Sequence, residues 1–230
     1  MLIPISPPLT LVESAYNNIK SDIISSYLKP DEKINPKHLS QRYNVSETPI
    51  KQALNRLISE GLVISVPRKG MWVHRISAEE ADNMFDIRLM MDTFFIDQIL
   101  ENFRGNSILQ SQMQTNVTSH IRSINIASSS SEYNTVYQLD NKFHELYISA
   151  SGNKKIIELY RTLNTHVYSA YVCTRQSRVK IVEGAMEHQH ILDALLAGEK
   201  QEVYNCVYTH IENARETVCG ILRTLEQESK

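Results

Sequence analysis

The stretch at residues 36–73 constrains the fold of this chain more than any other. A short helical pattern over residues 36–43 is followed by a tight turn and a second helical pattern. Ser46 is a good N-cap for the second helix, and Gly61 suits the position just past its C-terminus. Two apolar runs then flank a turn at residues 67–70, which predicts a two-stranded β-hairpin. The whole stretch is typical of a winged helix-turn-helix.

The polar residues of this motif suit contact with double-stranded DNA. A helix of this length fits the major groove, where its long polar side chains reach base edges and phosphates. The basic tip of the hairpin can reach phosphates or the minor groove. A winged helix that binds protein instead of DNA would show the same pattern. We predict DNA contacts by Lys37, Ser46, Glu47, Thr48, Lys51, Gln52, Arg56, Arg68, Lys69 and Gly70.

Charge is unevenly distributed along the chain. Residues 1–76 contain ten basic and six acidic residues, a net charge of +4, whereas residues 77–230 contain 14 basic and 20 acidic residues, a net charge of −6. A basic block on an otherwise acidic chain is typical of a segment that binds a polyanion. A solvated basic face without a partner would give the same counts, so charge alone does not decide between them.

The sequence after residue 76 is helical in pattern throughout. Ser77 followed by Glu79 and Glu80 resembles a helix start, and apolar residues recur at helical spacing from there on. The pattern predicts about six helices, at residues 77–100, 106–125, 136–147, 156–178, 182–197 and 200–226. We therefore predict a mainly α protein of two domains. An N-terminal winged helix-turn-helix occupies residues 1–76, and an all-α helical bundle occupies residues 77–230.

Four residues of the predicted bundle have the spacing of a metal site. Asp140 and His144 are one helical turn apart and face the same way. His188 lies ten residues before Gly198 and His210 twelve residues after it. A helix pair that turns at Gly198 would place both imidazoles ~15–18 Å from the turn and level with each other. One carboxylate and three imidazoles would bind a divalent first-row metal, although core or surface histidines could share this spacing.

The N-terminal motif carries a family resemblance. The segments Val45–Leu54 and Arg56–Leu62 resemble the GntR family of bacterial transcription regulators. The resemblance implies a winged helix-turn-helix that binds operator DNA. Where the family usually has arginine, this chain has Glu47 and Lys51, and where the preceding turn usually has glycine it has Asp31. Because a carboxylate repels phosphate but accepts a hydrogen bond from a cytosine amino group, we expect an unusual operator preference.

The bundle also carries a resemblance, through the segments Asp140–His144 and Glu187–Leu195 together with His210. These are similar to the FCD effector domain of the FadR subfamily, in its shorter, VanR-like branch of six helices. The resemblance implies a divalent metal ion, zinc first and nickel or manganese as alternatives. Its ligands would be Asp140, His144, His188 and His210. The segment Arg88–Asp92 approximates the R-x-x-L-E pattern of the subfamily, and we predict that Arg88 pairs with the carboxylate of a bound effector.

These patterns predict a transcription regulator that acts as a repressor, and not an enzyme. A homodimer would place two recognition helices on a pseudo-palindromic operator. A small organic acid, carboxylic or sugar-derived, would modulate operator binding at the metal site. Two alternatives remain: the metal itself is the effector, or the metal activates water in an enzyme with a DNA-binding head. Against the enzyme, no general acid or base is placed, since Glu187 adjoins His188 but is expected to point to another helix face.

The sequence also bears on where the protein works. No apolar run approaches the ~20 residues needed to cross a bilayer. The first ten residues contain three prolines and no lysine or arginine, unlike a signal peptide. Cys173, Cys206 and Cys219 show no CxxC spacing, which favours a reducing compartment. We therefore expect a cytoplasmic protein with no membrane contact.

Overall fold

A computed structural model of the 230-residue chain describes residues 10–126, 130–163, 167–172 and 175–228. The chain is mainly helical, as predicted, and divides into two compact units, Met1–Arg75 and Ile76–Lys230. No helix in the described ranges has both the length and the apolarity of a membrane span. Cys206 and Cys219 form no disulfide, and Cys173 lies outside the described residues.

The first unit is a winged helix-turn-helix. Its elements are α1 (Leu11–Ile24), β1 (Lys33–Ile34), α2 (Pro36–Tyr43), α3 (Glu47–Ser59), β2 (Val63–Val66) and β3 (Gly70–Val73). Strand β3 lies in the centre of the sheet and pairs antiparallel with both β1 and β2. The β2–β3 hairpin was predicted, whereas β1 was not, because a strand of two residues is too short to show a period in the sequence.

Local capping and an apolar core hold α2 against α3. The Asn35 side chain accepts hydrogen bonds from the backbone N–H groups of Lys37 and His38 and so caps α2. Asn44 ends that helix in the left-handed conformation, with a φ of 52°, which produces the tight turn. Ser46 occupies the N-cap of α3 as predicted, although its side chain makes no capping hydrogen bond. The apolar side of α3 is buried in the unit.

The turn between β2 and β3 places a strained residue at the tip of the wing. The Lys69 N–H donates to the Val66 carbonyl at 3.0 Å, with Pro67 and Arg68 between them. Arg68 has a φ of 63°, at the turn position where glycine or asparagine is usual. A side chain other than glycine in this conformation costs on the order of 1 kcal/mol. The Arg68 side chain is exposed to solvent.

The second unit is a helical bundle. Its described helices are α4 (Ala78–Phe94), α5 (Ile96–Arg104), α6 (Ser107–Ile126), α7 (Ser130–Ser149), α8 (Lys154–Leu163), α9 (Val167–Val172), α10 (Arg178–Ala197) and α11 (Lys200–Glu228). Helix α11 packs along α4 and α10, and α6 packs against α7 and α10. Gly198 ends α10 in the left-handed conformation, with a φ of 76°, and the chain turns there into α11.

Two of the six helices predicted in this unit are each divided into two in the structure. The helix predicted over residues 77–100 is broken at Phe95, which has a φ of −99° and a ψ of 14° and separates α4 from α5. The helix predicted over residues 156–178 comprises α8 and α9, and Arg178 is the first residue of α10. At Phe95 the apolar period continues across the break, so periodicity alone does not reveal it.

Candidate functional site

The outer surface of the first unit carries the predicted DNA contacts. Helix α3 buries Ile50, Ala53, Leu54 and Leu57, and its polar residues lie on the other side. Nine of the ten predicted contact residues are exposed: Lys37, Ser46, Thr48, Lys51, Gln52, Arg56, Arg68, Lys69 and Gly70. The tenth, Glu47, is half-buried. The structure therefore leaves all ten accessible to a partner.

Intrachain pairing distinguishes two groups of cations on this surface. The Lys51 Nζ lies 2.9 Å from Glu47 Oε2, one turn earlier on α3. The Arg56 Nε donates to Glu60 at 3.1 Å, and its guanidinium lies 3.7 Å from the centre of the Tyr16 ring. In the described part of the chain, by contrast, no ion pair involves Arg68, Lys69 or Lys37. These three cations can meet phosphate without first leaving an internal partner.

Three imidazoles meet inside the second unit. They belong to His144 on α7, His188 on α10 and His210 on α11, and all three side chains are buried. Their Nε2 atoms lie 3.2 Å (His144 to His188), 3.3 Å (His188 to His210) and 3.1 Å (His144 to His210) apart. Asp140, one turn before His144, places Oδ1 3.6 Å from the His188 Nε2. The structure thus brings the three predicted histidine ligands together and places Asp140 beside one of them, His188.

The spacing of these nitrogens fits a divalent metal ion. Two imidazole nitrogens bound to one zinc ion at a tetrahedral angle are about 3.3 Å apart. The His210 Nδ1 lies 2.8 Å from Glu187 Oε2. When this Nδ1–H donates to the carboxylate, the Nε2 is left unprotonated and faces the other imidazoles, as a metal-binding histidine requires. Stacking of the Phe143 ring on His188, at a centroid distance of 4.0 Å, fixes the second imidazole.

Glu187 was expected to face away from the site, and the structure corrects that expectation. Its Oε2 is bound to His210, and its Oε1 accepts a hydrogen bond of 2.6 Å from the Asn213 amide. Although burial raises the pKa of Glu187, these hydrogen bonds lower it below its ordinary value overall. Successive residues of an α-helix point about 100° apart, so Glu187 and His188 face different ways on α10. The Glu187 side chain nevertheless reaches α11, which packs beside α10.

Arg88 reaches the cluster from α4. It is only 2% exposed, and its Nη2 lies 3.1 Å from the His144 Nε2. Its Nε lies 4.0 Å from Asp92 Oδ2, and no hydrogen-bond partner for this buried Nε exists among the described residues. Burial raises the pKa of Asp92 to about 6, while the charges of Arg88 and His210 lower it. Because an unsatisfied buried donor costs about 1–3 kcal/mol, a ligand with an acceptor atom would be favoured here.

A cavity of about 100 Å³ adjoins the cluster. A cavity of this size has room for several water molecules or one small organic molecule. The polar residues that line it include Arg88, Asp140, His144 and His210, and the apolar ones include Val136, Ile181, Ala185, Ala214 and Val218. The arrangement suits a small polar ligand that contacts both a metal ion and a guanidinium.

Sequence reasoning missed one further histidine of this cavity. His120 on α6 is buried, lines the cavity and lies near Asp140 and His188. Burial lowers its pKa, against the opposing effect of the Asp140 charge. No spacing relation ties His120 to another candidate ligand within its own helix, so the sequence offered no signal for it.

Comparisons with known proteins bear on both units. Residues 11–73 match the family described as bacterial regulatory proteins, gntR family, and residues 83–213 match the FCD domain. The HTH-type transcriptional regulator YdhC of Bacillus subtilis is 22% identical over 215 residues, which cover 94% of this chain and 92% of the relative. The HTH-type transcriptional repressor RspR of Escherichia coli is 21% identical over 229 residues, 98% and 94% of the two chains.

Among solved structures, E. coli McbR/YncC shares the fold. It superposes with a TM-score of 0.70 at 16% identity, over 97% of this chain and 100% of that chain. The two curated relatives above are named as regulators of transcription.

Proposed function

This chain belongs to the gntR family of bacterial regulatory proteins, as a transcription regulator with a DNA-binding domain and an FCD effector domain, and we propose that a small organic acid bound at a metal ion in the FCD domain changes its affinity for operator DNA. The observation that carries the proposal is the convergence of three buried imidazoles beside a buried arginine and a cavity. The experiment that tests it is metal analysis of the purified protein with a thermal-shift screen of carboxylic and sugar acids.

The metal ligands in this proposal are Asp140, His144, His188 and His210. Imidazole and carboxylate groups accept zinc, nickel or manganese, and zinc suits the tetrahedral nitrogen spacing best. When bound, the divalent ion supplies a positive charge that attracts a carboxylate. Glu187 orients His210 through its Nδ1, which supports this set of ligands.

The acid would be recognised by Arg88. A guanidinium binds a carboxylate through two parallel hydrogen bonds, and the buried Arg88 Nε has no such partner among the described residues. The volume of the cavity limits the ligand to a small molecule. A carboxylate between the metal ion and Arg88 would satisfy both positive groups.

Regulation requires that the acid bind two arrangements of the protein with different affinity. One arrangement would bind the operator and the other would not, and the acid shifts the population between them. We propose a homodimer, in which two α3 helices contact half-sites about one helical turn apart on double-stranded DNA. Repression is the mode suggested by the name of the E. coli relative RspR.

A metal-responsive regulator is the second candidate, because the three clustered imidazoles could hold a metal ion by themselves. In that case micromolar metal alone would change DNA binding. A metal-dependent enzyme is less well supported, because both carboxylate oxygens of Glu187 accept hydrogen bonds from within the protein and Glu187 is poorly placed as a proton acceptor.

The substitution Arg68→Gly is expected to have different effects on stability and on DNA binding. Glycine relieves the left-handed strain at the wing tip, but it also makes the unfolded chain more flexible. We expect the free energy of unfolding to change by no more than about 1 kcal/mol, in the stabilising direction if at all. Affinity for DNA is expected to fall, because a phosphate or minor-groove contact is lost. Urea unfolding measures the stability, and fluorescence anisotropy measures the affinity for DNA. An unchanged affinity would show that Arg68 does not contact DNA.

Lys51→Ala tests the recognition helix. We expect weaker operator binding and a dependence of log affinity on log salt that is less steep by about 0.9, the value for one phosphate contact. The loss of affinity is moderated because phosphate must displace Glu47 from Lys51. Lys155→Ala is the matched control, since Lys155 is an exposed lysine paired with Glu158 on α8 in the second unit. An identical salt slope in both variants would mean that Lys51 contacts no phosphate.

A further inference from the structure

His120 is a buried histidine for which the proposed metal site has no assigned role. It lies in the middle of α6 with 3% of its surface exposed. Its Nδ1 is buried and has no hydrogen-bond partner among the described residues. A buried polar group left without a partner costs about 1–3 kcal/mol. A side chain of this kind, lining the ligand cavity, points to a partner that is acquired on binding.

The position of His120 identifies that partner. One of its ring nitrogens lies within 4.8 Å of ligand atoms of both Asp140 and His188. Its ring centre is 5.4 Å from that of His188. The grouping of His144, His188 and His210 does not include it. His120 therefore adjoins the cluster on the side formed by Asp140 and His188, with a ring nitrogen no more than 4.8 Å from a ligand atom of Asp140.

The chemistry of a metal-binding carboxylate supports a hydrogen bond from His120. A carboxylate that gives one oxygen to a metal ion keeps acceptor capacity on the other, and such carboxylates are commonly held by a hydrogen-bond donor. A neutral imidazole carries one N–H donor and is suited to this task. His188 and His210 need their facing nitrogens for the metal ion, which leaves Asp140 as the acceptor near His120.

We propose that His120 is a positioning residue that donates a hydrogen bond to Asp140 and holds this carboxylate toward the metal ion. This inference rests on the proposed metal site. It adds a fifth residue to that site, on a helix that contributes none of the four ligands. The hydrogen bond would also give a ring nitrogen of His120 a partner in the metal-bound protein.

The test is the affinity of the full chain for Zn²⁺, measured by competition with a chromophoric chelator. His120→Phe keeps a planar ring but removes the donor, and we expect its Kd for Zn²⁺ to rise about 10–100-fold. His120→Asn and His120→Gln keep an N–H donor at the positions of Nδ1 and Nε2 respectively. At least one of them is expected to stay close to the wild-type affinity. His190→Phe is the control, since His190 is exposed on α10.

The outcomes separate this inference from the proposed function. If the wild type binds Zn²⁺ and His120→Phe binds it equally well, the role of His120 is overturned and the metal site stands. Equal loss in all three His120 variants, with an altered Co²⁺ absorption spectrum, would make His120 a metal ligand and overturn the positioning role. If neither the wild type nor His188→Ala binds Zn²⁺, the metal site and this inference both fail.

Discussion

His188→Ala is expected to abolish metal binding and the response to acids, and to leave DNA binding unchanged. The His188 Nε2 lies 3.2 Å and 3.3 Å from the other two imidazoles and 3.6 Å from Asp140, so its removal opens the cluster at the centre. Since loss of a group that only supports a ligand costs 10–100-fold in metal affinity, loss of a ligand should cost more than about 100-fold. Helix α3 and the wing belong to the other compact unit.

Metal content by elemental analysis and DNA affinity by anisotropy check this prediction. His188 is fully buried against Phe143, so alanine leaves a void. His188→Asn retains a polar side chain and serves as a control for a general loss of folding. The stability of the metal-free variants is compared by thermal unfolding in the presence of a chelator. His190→Ala, two residues along the same helix and exposed, is the control. A His188→Ala protein that keeps its metal and its acid response would show that the cluster is structural.

Arg88→Met is expected to remove the acid response while metal remains bound. Arg88 is not among the proposed ligands, but its guanidinium lies 3.1 Å from the His144 Nε2 and lines the cavity. Truncating one partner of a buried hydrogen-bonded charge pair costs 2–5 kcal/mol, which weakens binding of a carboxylate by more than about 30-fold. Arg88→Lys should show an intermediate loss, because lysine keeps the charge and not the two parallel donors.

The acid response of the Arg88 variants is measured by thermal-shift titration with each stabilising acid. Their metal content is measured by elemental analysis. Arg122→Met, an exposed arginine on α6, is the matched control. If acids stabilise Arg88→Met as strongly as the wild type, the ligand is not held by this arginine. If the metal is lost together with the acid response, Arg88 supports the metal cluster and its effect on acids is indirect.

Most of the fold follows from local patterns in the sequence. Capping residues at Ser46 and Ser77 and left-handed positions at Gly61 and Gly198 mark helix boundaries that the structure confirms. Asp31 lies in the left-handed region with a φ of 63°, at the place where the family usually has glycine. The break at Phe95 could not be predicted, because the apolar stripe of α4 continues into α5 without a change of period.

The candidate site was predictable only where its residues share a helix or a turn. The pair Asp140 and His144 follows from helical spacing, and His188 and His210 follow from their distances to Gly198. His120 and Glu187 could not be assigned in this way. Their roles depend on contacts between helices, α6 with α7 and α10 in one case and α10 with α11 in the other. Such contacts are set by tertiary packing, which a single sequence does not display.

We propose that a small acid controls DNA binding through the metal site. The direct measurement is the affinity of the protein for an operator duplex that has been selected from random-sequence DNA. It is made with metal-loaded and with chelator-stripped protein, each with and without the acid that stabilises the wild type most. A coupling of typical size would change the affinity of the metal-loaded protein by about 5–150-fold. We expect this change for the metal-loaded protein alone. An equal change in the stripped protein, or none in either, would contradict it.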